Sequence, residues 1–175
     1  SQYKYVRPDF EETKKLIRIA VEIMKKAESK EEAMSVFKKV NKENMHLRTM
    51  ATVAEIRNTI DTKDAFYEAE MQCFYENMPL IDIEMQEFQK AVLNSVYLED
   101  LKTKYGELYF VRMKRLMKLV NKNNVDNQVE ESNLVQLYHK TAAAPSIQFN
   151  GETLNFYGLL KKMQDPDRKI RKAAL

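Results

Sequence analysis

The chain has 175 residues, 44% hydrophobic and 31% charged, the balance of a folded globular protein long enough to bury a core without disulfides or metals. Lys and Arg number 29 against 26 Asp and Glu, and a net charge of +3 is too small and too evenly spread to imply a nucleic-acid partner. The single Cys73 excludes an intramolecular disulfide, and there is neither an apolar signal core nor an apolar run of about 18 residues, so the sequence predicts a cytoplasmic protein with no membrane partner.

Only 3 Gly and 4 Pro punctuate the chain, so long helices are expected, with ten Met as flexible filler between them. Asp9 follows Pro8 and precedes Glu12 by three residues, a capping-box start for a helix whose apolar stripe is Leu16, Ile17, Ala20, Ile23 and Met24. Ser29 and Glu32 repeat the signal. The second helix then turns Ala33, Val36, Phe37, Val40, Leu47, Met50 and either Val53 or Ala54 inward, with Arg57 next on the same face. Asp61-Thr62-Lys63-Asp64 should break it, because Asp and Thr favour caps over helix interiors.

A third helix carries Phe66, Met71, Phe74 and Tyr75, and Pro79 is expected to kink or interrupt it by removing a donor and crowding the preceding turn. Helix resumes over 81–96, and Gly106 divides a further helical run over 98–120. Lys122-Asn123-Asn124 reads as a loop, and 125–143 as helix. After Pro145 the period changes to two: Ser146-Ile147-Gln148-Phe149, then Asn150-Gly151, then Glu152-Thr153-Leu154. Asn-Gly flanked in this way signals a hairpin, since both central residues of a type I′ turn need positive φ. A short helix over 156–163 follows, and then a last one with Asp165 as cap and Pro166 in its first position. That helical pattern reaches Leu175 with no Gly or Asn to close it, which reads as a fragment of something longer. The predicted fold is mainly α, a multi-helix bundle of long antiparallel helices with one short β-hairpin near the C-terminal end. Residues 1–144 form its helical domain.

The chemistry is sparse. There is no H-E-x-x-H, no paired-cysteine motif, no phosphate-binding Gly-rich loop and no G-x-S-x-G. Glu43 and His46 make one Glu-x-x-His, but a carboxylate di-metal bundle needs that unit twice, and His139 has Gln136 at the matching position. Arg112, Arg115, Lys118 and Lys122 lie near one helix face, which reads as a solvated surface, and Cys73 beside Met71 and Phe74 reads as a structural thiol. The Tyr and Phe residues stand at helical intervals among aliphatic ones, as core rather than as a stacking platform. No catalytic, cofactor-binding or metal-ligating residue is assigned in this chain.

Three stretches resemble one known family in matching order and spacing. Tyr3-Lys4-Tyr5-Val6-Arg7-Pro8-Asp9 looks like the opening of one branch of the oligoendopeptidase F family, zinc metallopeptidases related to thimet oligopeptidase. Residues 50–62, Met-Ala-Thr-Val-Ala-Glu-Ile-Arg-Asn-Thr-Ile-Asp-Thr, resemble the same branch, followed by Asp64, Phe66, Tyr67 and Glu70. Ile147-Gln148-Phe149-Asn150-Gly151-Glu152 and Asp167-Arg168-Lys169-Ile170-Arg171-Lys172-Ala173 are similar to the family's hairpin and following helix.

The resemblance implies an enzyme about three times this length, with two lobes enclosing a channel for short unfolded peptides. Its H-E-x-x-H and a further glutamate hold zinc, which activates water and polarises the scissile carbonyl. None of those residues is present here. The chain is then the non-catalytic N-terminal part, inactive and zinc-free by itself, with 145–175 beginning the downstream peptidase lobe. Its partners are that lobe and the short peptide substrates. Thr52, Glu55, Arg57, Asn58, Thr59 and Asp61 are candidates to face the channel, or equally for capping and inter-helix hydrogen bonds. Rival readings are a stand-alone helical interaction module and a small ligand-binding bundle.

Overall fold

The helices begin where side chains satisfy the orphan backbone donors of a first turn. In a computed structural model describing residues 4–175, Asp9 accepts from the Glu12 amide at 2.8 Å and opens α1, Phe10–Lys26. Ser29 accepts from the Glu32 amide at 3.2 Å and opens α2, Lys30–Ile60, while the Glu32 carboxylate reaches back to the amide of Glu28 at 3.0 Å. Asp64 accepts from the amides of Phe66 and Tyr67 and opens α3, Ala65–Leu93. Two short helices follow, α4 (Leu98–Tyr105) and α5 (Glu107–Leu116), divided at Gly106 with φ at 87°. Two single 3-10 turns, Met117–Leu119 and Lys122–Asn124, lead into α6, Val125–Ala143.

Chain contacts divide the molecule into two units, one reaching Val129 and the other Glu130–Leu175. In the first, α1, α2 and α3 pack on one another pairwise, and α5 packs on α3 and α4. Their shared core holds Ile17, Met24, Phe37, Leu47, Ile81, Phe88 and Leu101, all buried. Phe37 anchors its aromatic centre, with ring centroids 4.8 Å from Tyr105 and 5.8 Å from Phe110. Burying a side chain of that size is worth about 1.5–3 kcal/mol, so this cluster fixes where α2, α4 and α5 meet.

In the second unit, β1 (Ile147–Phe149) pairs antiparallel with β2 (Glu152–Leu154), Ile147 opposite Leu154 and Phe149 opposite Glu152. Asn150 and Gly151 have φ of 51° and 86°, the paired positive values of the expected turn. Then come α7, Phe156–Lys162, and α8, Arg168–Ala173. The mainly α fold with a single hairpin stands as predicted.

Three local expectations are corrected. Of the kink or interruption expected at Pro79, the interruption does not occur: α3 runs through it, because apolar residues on both sides, Met71 and Phe74 before, Ile81, Met85 and Phe88 after, are buried on one continuous face. Arg57 is exposed rather than inward, since α2 ends three residues later and its buried stripe stops at Ala54. The last helix is capped by Asp167, which accepts from the Lys169 amide at 2.8 Å. Asp165 instead closes the turn before it by accepting from the Asp167 amide.

Candidate functional site

The most polar buried point of the first unit is Glu70, 1% exposed on the apolar face of α3. Arg7 Nε donates to its two carboxylate oxygens at 3.1 and 2.9 Å, Arg7 Nη2 adds a third bond, and the Tyr5 hydroxyl donates a fourth. The Arg7 hydrogen bonds hold the Glu70 carboxyl below its ordinary range against the opposing effect of burial, with the Tyr5 bond adding to them. Burial and the Glu70 carboxylate together push the Tyr5 hydroxyl up. The cluster straps residues 5–7 onto α3, and all its members have partners, so it is a fastening rather than a reactive site.

The open chemistry lies along α2. Asn41, Asn44, Arg48 and Thr52 recur at helical spacing along one face and line a groove of about 740 Å³ with Tyr105 of α4 and Tyr109 of α5. Asn41 is fixed at both ends of its amide: Nδ2 donates to the Phe37 carbonyl and Oδ1 accepts from the Tyr109 hydroxyl, each at 2.9 Å. Burial raises the Tyr109 pKa, and the Asn41 bond opposes it. Asn44, Arg48 and Tyr109 also line an adjoining cleft of about 650 Å³ with Asp82, Met85, Arg112 and Met113, so the two share these three residues and together form a depression over α2, α3 and α5. Arg48 Nη2 donates to Asp82 Oδ1 at 2.5 Å; burial raises the Asp82 pKa while Arg48 draws it down.

Apolar walls bearing a few fixed amides and guanidiniums suit a peptide or similar ligand, for which the walls supply burial and the polar groups orientation. No nucleophile–base pair lines the groove.

Residues 1–120 match the family model of the peptidase M3 N-terminal domain. The chain belongs to that family. Among solved structures it is similar to a protein assigned as oligoendopeptidase F from Bacillus anthracis strain Ames, with 31% identity and a TM-score of 0.92. That match covers 99% of this chain and 32% of the other. A structure of PZ peptidase A with an inhibitor is 30% identical at a TM-score of 0.91, covering 99% of this chain and 31% of that one. A second oligoendopeptidase F assignment is 27% identical at 0.91, covering 99% and 31%. This M3 chain therefore spans about a third of the length of the solved relatives it matches. No curated protein sequence matches it.

Peptidase M3 membership raises the question of a metal, and the donors in this chain do not fit one. Among the described residues no group of three or more His, Cys, Asp and Glu could hold an ion. Glu43 is engaged by the Thr13 hydroxyl at 3.3 Å, and Cys73 lies half-buried beside the side-chain amide of Asn77. No helix of the described residues is long and apolar enough to cross a membrane.

Of the polar residues in the 50–62 block, Thr52 alone lines the groove. Thr59 donates to the Glu55 carbonyl at 2.8 Å, Asp61 accepts from the Lys63 amide at 3.0 Å, and Arg57 is exposed. Of the four basic residues 112, 115, 118 and 122, Arg112 alone lines it, because α5 stops at Leu116 and the 3-10 turn breaks the shared face. The groove amides Asn41 and Asn44 were missed in the sequence. A signal existed, in that both repeat at helical spacing with Arg48 along the edge of the buried stripe of α2.

Proposed function

We propose that the chain is the non-catalytic N-terminal part of a zinc-dependent oligoendopeptidase and that the groove over α2, α3 and α5 walls its substrate channel. The observation that carries this reading is the match of residues 1–120 to the M3 N-terminal domain. The solved relatives, about three times as long, support a catalytic lobe elsewhere in the whole protein. On this reading residues 1–144 form the N-terminal domain and 145–175 open the catalytic lobe. Zinc, held by residues outside this chain, supplies an activated water and a Lewis acid. This chain's own residues contribute enclosure: an apolar wall that excludes folded proteins, with amides and hydroxyls positioned for an extended peptide.

The test compares the isolated chain with the longer protein containing it, each assayed on a quenched fluorescent peptide and analysed for metal after dialysis. The expected result is no cleavage and no stoichiometric zinc for the chain, and chelator-sensitive cleavage for the longer protein. Chelator-sensitive cleavage by the isolated chain would overturn its non-catalytic assignment. A longer protein without peptidase activity would favour the stand-alone interaction module instead.

A further inference from the structure

The two ends of the depression differ in charge. Along α2 its lining is neutral apart from Arg48, but at the α3–α5 end Arg48 and Arg112 stand against a single carboxylate, Asp82. Arg48 takes that carboxylate, and Arg112, exposed on α5, makes no ion pair among the described residues. At the seam between the two parts lies Asn44, whose Oδ1 is buried with no protein hydrogen-bond partner among the described residues. Met85, Met113 and Leu116 supply apolar surface beside both groups.

Resting on the channel reading above, we infer that this end of the groove receives the C-terminal carboxylate of a peptide, with Arg112 as its counter-charge. The sign of the excess charge selects this terminus, because a peptide ammonium would meet two guanidiniums and one already paired carboxylate. A guanidinium also matches the flat carboxylate through paired N–H donors. The rest of the groove follows α2 from Phe37 to Ile56, about 28 Å at 1.5 Å per residue, the length of about eight extended residues. Arg112 is thus a specificity residue that fixes one end of a short peptide and favours substrates that possess such an end nearby.

The experiment is calorimetric titration of the 175-residue chain at low salt with a neutral, N-acetylated octapeptide, prepared as free acid and as amide. The free acid is expected to bind about fivefold tighter than the amide, the increment of one partly exposed ion pair. Arg112→Gln, at an exposed position, should bring the free acid down to the amide and leave the amide unchanged, with an unaltered circular dichroism spectrum. Equal binding of both peptides to the unsubstituted chain overturns this inference and spares the channel reading, whereas binding of neither overturns both. A free-acid advantage that survives Arg112→Gln assigns the contact elsewhere and also overturns it. An amidated octapeptide with a penultimate Glu binding as tightly as the free acid shows that Arg112 reads acidic side chains, and overturns the C-terminal assignment.

Discussion

Glu70 is a buried carboxylate facing one guanidinium and one phenol. Its carboxyl is held below its ordinary 4.5, so the folded state favours the ionised form. The resulting stability is present above that value and is lost as pH falls through the lower folded one. Asp82 has the opposite sign: its raised pKa favours the protonated folded form, a contribution lost as pH rises above 3.8. Glu70→Gln is expected to lower stability by about 1–3 kcal/mol at neutral pH, because Arg7 and Tyr5 lose a charged acceptor. Thermal melts between pH 2 and 7 should also show a shallower acid loss in the variant. An unchanged acid slope would place the pH-sensitive group elsewhere. In the sequence Glu70 was visible as an acidic residue on an apolar stripe, one position before Met71 and four before Phe74. Its partners were not, since nothing local ties residue 7 to residue 70.

At the scale of elements, what was legible followed from local chemistry and what was not followed from packing. Asp9, Ser29, Asp64 and Asn150-Gly151 act through bonds or dihedrals within a few residues, and each punctuates the chain where expected. Pro79 does not interrupt α3 because its local penalty is offset by burial at Phe74, Ile81, Met85 and Phe88, which no window around residue 79 weighs. The groove was illegible for the same reason: Asn41 and Asn44 become lining only when Tyr105 and Tyr109 close over α2. Proline in a helix interior costs about 3 kcal/mol relative to alanine, and removing it frees the unfolded chain by under about 1 kcal/mol. Pro79→Ala should therefore stabilise the protein by about 2 kcal/mol, read as a higher midpoint in urea. A lower midpoint would mean that the proline fixes a bend the core requires.

Across the whole molecule, burial is uneven. In the first unit three long helices share one core, whereas α6 has no buried residue and leaves Leu134, Leu137 and Tyr138 largely exposed. In the second unit only Phe149 and Ala174 are buried. Local opening requires little free energy where few apolar contacts break. Amides of 145–175 are accordingly expected to exchange at least an order of magnitude faster than those of α1, by hydrogen exchange on the 175-residue chain. Equal protection would show that this segment completes a stable unit of its own.

The strap formed by Tyr5 and Arg7 also has a temporal side. Its acceptor lies 63 residues further along, at Glu70. At a synthesis rate of about 5–20 residues per second, the strap emerges from a ribosome some 3–13 seconds before the carboxylate that will hold it. α1 and α2 can pair in that interval, but the α1 surface destined for α3 stays uncovered and Arg7 stays hydrated. Tyr5 and Arg7 are thus made well before the residue that fastens them. A nascent chain halted anywhere before α3 would present a sticky two-helix hairpin with a loose basic strap, a form suited to capture by a chaperone.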